Sequence, residues 1–339
     1  MRFIGSKRLL LKNIDYVIQE NIKNHNKLNT FCDIFAGTTI VSQYFKNKYQ
    51  IISNDLLYFS YCLQKTYVEL NKKPKFKNLN LKFEIEEYLN KFNYSQKGFI
   101  FKNYSPGGKE NRKYLSEDNA KIIDGLRSQF NKWLQETKIN EFEYFYLLSL
   151  IIEATPFISN IAGTYGAYLK NWDKRSLKKI ELNPLSIIDN KMKNKSFNED
   201  CNKLIRKIEG DILYLDPPYN NRQYLPNYHL LETIAKYDNP IIRGKTGIRQ
   251  YENQKSNFCN KSFAEDALED LIGNSNFKFI LLSYNSEGII SEIRLEKLLK
   301  KYSKNLYKKY KIDYRRYKKD KGIKKDKLYE LIFIIDKIW

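Results

Sequence analysis

An apolar, strand-forming run, Gly210-Asp211-Ile212-Leu213-Tyr214-Leu215, ends abruptly in Asp216-Pro217-Pro218-Tyr219. Proline cannot donate a backbone hydrogen bond and fixes φ, so the strand stops there and a rigid turn begins. The turn displays a carboxylate, a free main-chain carbonyl and an aromatic face at the carboxyl end of a buried strand. Open α/β sheets bind ligands at that place. The chemistry this suits is methylation of an amino nitrogen on a base. The lone pair of an adenine N6 is delocalised into the ring, so the nitrogen is a weak nucleophile. Acceptors from the Asp216 carboxylate and the Pro217 carbonyl would bind its two N–H groups, stabilise the charge that grows on nitrogen and aim the lone pair. Tyr219 would stack on a base held outside the duplex. The competing reading is a strand closed by an ordinary Pro-Pro turn, with the acid capping something nearby; four residues alone do not separate the two.

Composition narrows the partner. Lys and Arg number 60 against 39 acids in 339 residues, a formal charge of +21, and aromatic residues make up 15%. An AT-rich genome would inflate Lys and Asn, yet an excess this large favours a polyanion, with rings available for stacking. The length suits one large domain or two modest ones. No apolar run reaches the length of about 18 residues that a membrane helix needs. Met1 to Lys7 is basic without the apolar core of a secretion signal, so a cytoplasmic location is expected. Cys32, Cys62, Cys201 and Cys259 form no CxxC pair, and only His25 and His229 are present, so neither a metal site nor a catalytic triad is expected. His229 falls on the helix expected after the turn, as a structural or DNA-facing residue.

The elements that must position Asp216 follow from hydrophobic periodicity. Strands are expected at 31–36 and 49–53, with helices at 38–45 and 56–70, the start of a parallel sheet. From about Lys72 the chain turns polar and rich in Lys and Asn, with amphipathic pieces at 120–134, an apolar helix at 141–154 and no strong strand run. The sheet resumes at 211–215 and 278–285, and a helix is expected at 291–302. Segments 306–317 and 328–336 pair as an antiparallel hairpin around 318–327. The expected organisation is a discontinuous catalytic domain, 1–74 and 201–339, interrupted by a mainly helical region at 75–200.

Asp33-Ile34-Phe35-Ala36-Gly37-Thr38 occupies the first strand-to-helix turn, where glycine lets the backbone approach a ligand closely. Asp55 follows at the end of the next strand, where dinucleotide folds place a carboxylate on ribose hydroxyls. A pyrophosphate ligand would want further glycines. A nucleoside without phosphates, such as S-adenosylmethionine, fits a turn with Gly37 alone.

The order Phe3-Ile4-Gly5-Ser6-Lys7, Gly37, Asp55, Asp216–Tyr219 resembles the Dam-like, D12 class adenine-N6 DNA methyltransferases. It is closest to the N-terminal half of FokI-type modification methylases of type IIS restriction systems. The residues carrying the resemblance are Met1 to Leu10, Phe157 to Asn160 with Gly163 to Leu169, Asp216 through Glu232, and Tyr314 to Tyr317 with Tyr329 to Leu331. It spans nearly the whole chain. It implies an α/β, Rossmann-like SAM-dependent fold with a terminal antiparallel hairpin strand and a target-recognition insertion. It also implies Phe3, Lys7, Phe35, Gly37, Asp55 and Asp216 around the cofactor, and Asp216, Pro217 and Tyr219 in catalysis. The implied role is protection of double-stranded DNA against a cognate restriction endonuclease, with no metal. One departure stands out: Thr39 occupies the place of the family's usual second glycine.

By position within that family, base readout is expected from Asn160, Thr164, Tyr165, Lys170 and Arg175, with the backbone gripped by 170–179 and by Arg315 and Arg316 in the hairpin. An ordinary solvated Lys-rich face is the alternative for each. Cytosine-C5 chemistry is disfavoured because no Cys follows a Pro. Cytosine-N4 methylation, which commonly has Ser in place of Asp216, RNA adenine methylation and a catalytically inactive DNA-binding relative are the remaining rivals.

Overall fold

The computed structural model describes residues 4–92, 94–313 and 329–338. Phe3, Arg315, Arg316 and the expected hairpin loop at 318–327 therefore lie outside the described residues. Along the chain, α1 (Leu11–Asn21) precedes β1 (Thr30–Asp33), α2 (Ile40–Lys46), β2 (Gln50–Asn54) and α3 (Tyr58–Gln64). A helical region follows, with α4 (Ile85–Lys91), α5 (Phe99–Tyr104), α6 (Glu117–Gln135) and α7 (Glu141–Ala154). Next come β3 (Lys195–Phe197), α8 (Cys201–Leu204), β4 (Glu209–Leu215), α9 (Leu225–Lys236) and a small ribbon, β5 (Ile242–Arg243) with β6 (Ile248–Arg249). The described chain closes with α10 (Ala264–Gly273), β7 (Asn276–Asn285), α11 (Glu292–Tyr302), β8 (Ser303–Asp313) and β9 (Tyr329–Lys337).

The main sheet has the order β3-β2-β1-β4-β7-β9-β8. Strands β3 through β7 of that order run parallel, and β9 is antiparallel to both β7 and β8. Alternate residues serve opposite faces, as the pleat requires. Leu213, Leu215, Ile280, Leu282 and Phe333 pack with α8, α10 and α11. Ile212, Tyr214, Leu281, Ile332 and Ile334 pack with α1 and α2. Strands buried on both faces read as continuous apolar runs, which is why β4, β7 and β9 were legible. From β1 the chain moves outward to β2, whereas β4 lies on the other side of β1. The order reverses between β1 and β4, and a crevice opens at their carboxyl ends.

Three features differ from the sequence reading. First, β1 stops at Asp33 because the Ala36 N–H leaves the ladder for the Asn54 carbonyl (2.8 Å). Second, the helix expected at 56–70 splits into α3 and a wider π turn over Lys65–Glu69. Lys46, fully buried, donates to the carbonyls of Tyr67 (3.1 Å) and Leu70 (2.5 Å) and so satisfies the end of that turn. Third, the region expected to lack strands contributes β3 to the sheet edge. Its sequence Lys-Ser-Phe is nearly polar, and pairing is fixed instead by the Asn194 side chain, which accepts the Ile51 N–H at 2.8 Å.

The helical region shares one apolar core with the sheet's own helices: Ile123, Phe130, Leu147 and Ile151 pack with Phe59 and Leu63 of α3 and with Leu230 and Leu231 of α9. Its α7 begins with a capping box between Asn140 and Glu143. Among the described residues no helix is long and apolar enough to cross a membrane.

Candidate active site

A cleft of about 860 Å³ opens at the crevice. Ile34, Phe35 and Gly37 line it after β1, Asn54 and Asp55 after β2, and Asp216 and Pro218 after β4. Ile4, Gly5, Tyr224 and the segment Gln254–Phe258 supply further wall. Gly37 adopts φ +51°, and its N–H donates to Asp55 Oδ2 at 2.8 Å. Asp55 Oδ1 accepts the Leu57 N–H at 2.9 Å, so one carboxylate ties the two turns together. Thr39 takes the glycine-like φ of +64° although it is β-branched, a strain of roughly 1–2 kcal/mol. Its hydroxyl offsets part of this by donating to the Thr38 carbonyl (2.6 Å) and accepting from Gln43 (2.8 Å).

Asp216 stands in the cleft wall with Lys7 behind it. Lys7 Nζ lies 3.1 Å from Asp216 Oδ1 and also pairs with Glu330 of β9. Glu330 in turn accepts the Ser283 hydroxyl at 2.8 Å. Burial alone would lower the Lys7 pKa, but the Asp216 and Glu330 carboxylates together hold it above the usual lysine range, so the ammonium stays charged. Lys7 is 5% exposed and does not line the cleft. The Tyr219 ring meets Tyr284 edge-on at 6.3 Å and has Lys7 Nζ 6.0 Å from its centroid. Its main-chain carbonyl accepts the Ile289 N–H at 2.9 Å.

The electrostatics of this crevice are acidic. Burial pushes Asp216 up to about 7, with Lys7 opposing and Glu330 adding to the shift. Burial pushes Asp33 up to about 7, opposed by the Ser42 hydroxyl and increased by Asp216 and Asp55. Asp55 rises to about 6 from burial, opposed by the N–H groups of Leu57 and Gly37. Glu199 and Asp200 line the same cleft. Asp33 Oδ1 is buried with no hydrogen-bond partner. A cationic ligand relieves all of these at once, because it lowers the cost of each desolvated carboxylate. The apolar faces of Phe35, Phe258 and Pro218 suit a flat ring. The residues present fit a ligand with a purine at one end and positive charge at the other.

The D12 class N6 adenine-specific DNA methyltransferase model matches residues 3–298. The chain belongs to this family. It is 50% identical to the type II methyltransferase M.FokI of Planomicrobium okeanokoites over 99% of this chain and 53% of that protein. It is 46% identical to the modification methylase StsI of Streptococcus sanguinis, over 99% of this chain and 52% of that one. The chain thus spans about half the length of these two relatives. With the type II methyltransferase M.NlaIII of Neisseria lactamica it shares 38% identity over 99% of each chain. The sheet is accordingly a Rossmann-like methyltransferase sheet, and membership implies a methyl donor.

Within this member of the family the structure brings Phe35, Gly37, Asp55 and Asp216 to one cleft, with Lys7 and Tyr219 outside its lining. The residues expected to read bases divide. Asn160 is fully buried: its amide donates to the Leu169 carbonyl (3.0 Å) and accepts the Asp173 N–H (2.9 Å). Tyr165 is 2% exposed, with its carbonyl held by Tyr114 and by His229 Nε2, each at 2.8 Å. That bond requires the proton on Nε2. His229 is buried, and burial lowers its pKa to about 4, so the ring is a neutral scaffold group. Thr164 and Arg175 are half-buried, and Lys170 is exposed.

Sequence reasoning missed Glu330 as the second partner of Lys7, and Tyr224 and Gln254–Phe258 as cleft wall. Gln254 donates to Glu232 (2.7 Å), and Gln223 exchanges hydrogen bonds with the Ser256 backbone at 2.8 and 3.0 Å. No local signal marks these residues. Glu330 and Tyr224 lie in quoted stretches of resemblance, the available clue for those two. Among the described residues no group of three or more His, Cys, Asp or Glu side chains could hold a metal ion.

Proposed function

We propose that the protein methylates N6 of an adenine flipped out of double-stranded DNA, using S-adenosylmethionine, as the modification component of a restriction–modification system in the cytoplasm. One observation carries this reading. Asp216, at the switch point of the sheet, is held on one oxygen by a buried lysine and lines the cleft together with Pro218 of the same turn. When bound, S-adenosylmethionine supplies a methyl group on a sulfonium, a leaving group that takes the bonding pair.

The chain's own residues do the rest. Asp55 and the Gly37 turn would receive the nucleoside, and Phe35 and Phe258 its ring. Asp216 would face the positive charge of the donor, with the buried Asp33 adding negative potential from beside the cleft. Lys7 acts through Asp216, fixing Oδ1 and leaving the other oxygen to accept one N6–H. The Pro217 carbonyl accepts the second. These acceptors raise electron density on nitrogen as its bond to carbon forms. A carboxyl whose pKa is raised by burial is also a competent acceptor for the proton that nitrogen then loses. Tyr219 or the cleft-lining Tyr224 would stack on the flipped base.

Residues 1–74 and 201–339 would form the catalytic domain, and 75–200 the target-recognition region, with a cognate restriction endonuclease as functional partner. The burial of Asn160 and Tyr165 supports a positioning role for both. Base contact then falls to Thr164, Lys170 and Arg175. Phe3, Arg315 and Arg316 rest on the resemblance and on charge alone. The test is tritium transfer from labelled S-adenosylmethionine to unmethylated duplex DNA, with RNA and free protein as controls. Label recovered as N6-methyladenine is expected; label only in RNA or protein, or on cytosine, overturns the reading.

A further inference from the structure

The ribbon of β5 and β6 lies outside every motif considered so far. Its strands pair Ile242 with Arg249 and Arg243 with Ile248, and Gly244-Lys245-Thr246-Gly247 forms the tip. Gly244 and Gly247 take φ of +68° and +69°. A tip this short and polar would be expected to move freely. Instead all four of its carbonyls are held from inside by the helical region. Arg112 donates to the carbonyls of Gly244 and Lys245, both at 3.1 Å. Tyr114 donates to Thr246 (3.0 Å) and Tyr104 to Gly247 (2.9 Å). Arg112 is 5% exposed and both tyrosines are fully buried. Arg249 at the base is fixed by Asp238.

This clamp sets what the tip shows to solvent. In a trans peptide the N–H points opposite to the preceding carbonyl, and the described residues contain no cis peptide bond. With the Gly244 and Lys245 carbonyls turned toward Arg112, the amides of Lys245 and Thr246 turn outward. Arg243 and Lys245 are exposed on the same tip. The outer surface therefore offers hydrogen-bond donors and positive charge, the complement of a phosphate. Gly-Lys-Thr also occurs in triphosphate-binding loops, but Asn239 stands where such a loop needs its first glycine, and a strand follows instead of a helix.

The tip is also coupled to the cleft. The single Tyr114 hydroxyl proton is shared between the Thr246 and Tyr165 carbonyls, 3.0 and 2.8 Å from the hydroxyl oxygen, and His229 Nε2 also donates to the Tyr165 carbonyl. The Tyr165 N–H donates to Asn227 (2.8 Å), whose own N–H donates to Tyr224 in the cleft wall (2.9 Å). Along the chain, Gln254 of the cleft lies eight residues beyond Thr246. That is at most about 28 Å of chain, less than one turn of duplex at roughly 34 Å.

We propose that residues 243–246 bind a phosphodiester of the DNA within one turn of the flipped adenine, so that the clamp on their carbonyls sets the register of the duplex against the cleft. This rests on duplex DNA being the substrate. The test compares the parent with an Arg243→Ala/Lys245→Ala double variant and with a control double on the outer helix α11, Lys297→Ala/Lys300→Ala. Duplex Kd is measured across salt concentrations, together with kcat and KM for DNA, and sinefungin binding reports the fold. The ribbon double should raise Kd and KM roughly tenfold, leave kcat within about twofold and flatten the salt slope by about 1 per lost phosphate contact. Arg243→Lys/Lys245→Arg should restore binding. An active parent whose ribbon double keeps its Kd and slope, or loses no more than the α11 control, overturns the ribbon site alone. A parent that neither binds nor methylates duplex DNA overturns the underlying reading as well.

Discussion

Two regions of this molecule bury polar groups in opposite ways. Asp55 and Asp216 in the cleft wall, and Asp33 buried beside them, are desolvated carboxylates whose pKa values stand well above the ordinary range, and one oxygen of Asp33 has no partner. Around the ribbon, Arg112, Tyr104, Tyr114 and Asn160 are just as buried, yet their polar groups are bonded to main-chain groups. The first region is left electrostatically incomplete in the protein alone, and a cation completes it. In the second, the side chains that hold the ribbon tip are bonded, although Arg249 Nε and His229 Nδ1 beside them are buried without a partner, and what it holds still is a surface. A chain of net charge +21 thereby gathers carboxylates in its cleft while Arg243 and Lys245 stand exposed on the ribbon.

The sharpest break of that contrast is Asp216→Ala. Methyl transfer should fall on the order of 10³-fold while duplex Kd stays within about threefold, since the lost group acts on charge that appears only in the transition state. Near-normal turnover would remove Asp216 from the chemistry.

Asn160→Ala probes the second region. It strands the Leu169 carbonyl and the Asp173 N–H, so stability should drop by roughly 2 kcal/mol. Urea denaturation measures it, and an unchanged midpoint with lost sequence preference would return Asn160 to base readout.

Asp33→Asn should weaken sinefungin by no more than about threefold, since Asp33 is buried beside the cleft and acts on a ligand there only through its field. The same variant should melt higher than the parent at pH 8. The sign follows from linkage: a carboxyl raised from 3.8 to about 7 binds more protons folded than unfolded, so its contribution to stability falls between those pH values. The difference between variant and parent should therefore shrink toward pH 4. Melting curves at both pH values decide it, and a variant less stable than the parent at pH 8 would contradict the assignment.

Glu330→Gln removes a negative charge that raises the Asp216 pKa and frees Lys7 to pair with Asp216 alone. In the parent, kcat/KM should decline below about pH 7 as Asp216 protonates. In the variant that acid limb should move to lower pH; movement upward would mean another group controls it.

The smallest effect belongs to Thr39→Gly. Relief of a left-handed threonine and loss of the Gln43 contact oppose each other, so stability should stay within about 1 kcal/mol of the parent. A larger loss of melting temperature would show that the hydroxyl, and not the turn, is what the position needs.

How much was legible varied with the range of the cause. Asp216 was readable because two prolines end an apolar run, a local event. Gly37 and Asp55 were readable because one strand–helix–strand unit fixes their separation. Lys7 was found only through resemblance, since a lysine near the start of a chain is usually solvated. Asn160 and Tyr165 were placed on the wrong side of the surface for base contact because an amide or a phenol looks the same in sequence whether its partners are bases or backbone. The ribbon and β3 went unread because two- and three-residue strands have no periodicity to detect.

Local pattern was enough for the long central strands, the turn chemistry and the charge excess, because those follow from side-chain period, proline geometry and simple counting. Only the tertiary structure decided which carboxylates share a desolvated space, that Glu330 reaches Lys7 across the sheet, and that Arg112 turns the ribbon's carbonyls inward. Burial and pairing between residues hundreds of positions apart depend on the packing of the whole chain, and no local window contains them.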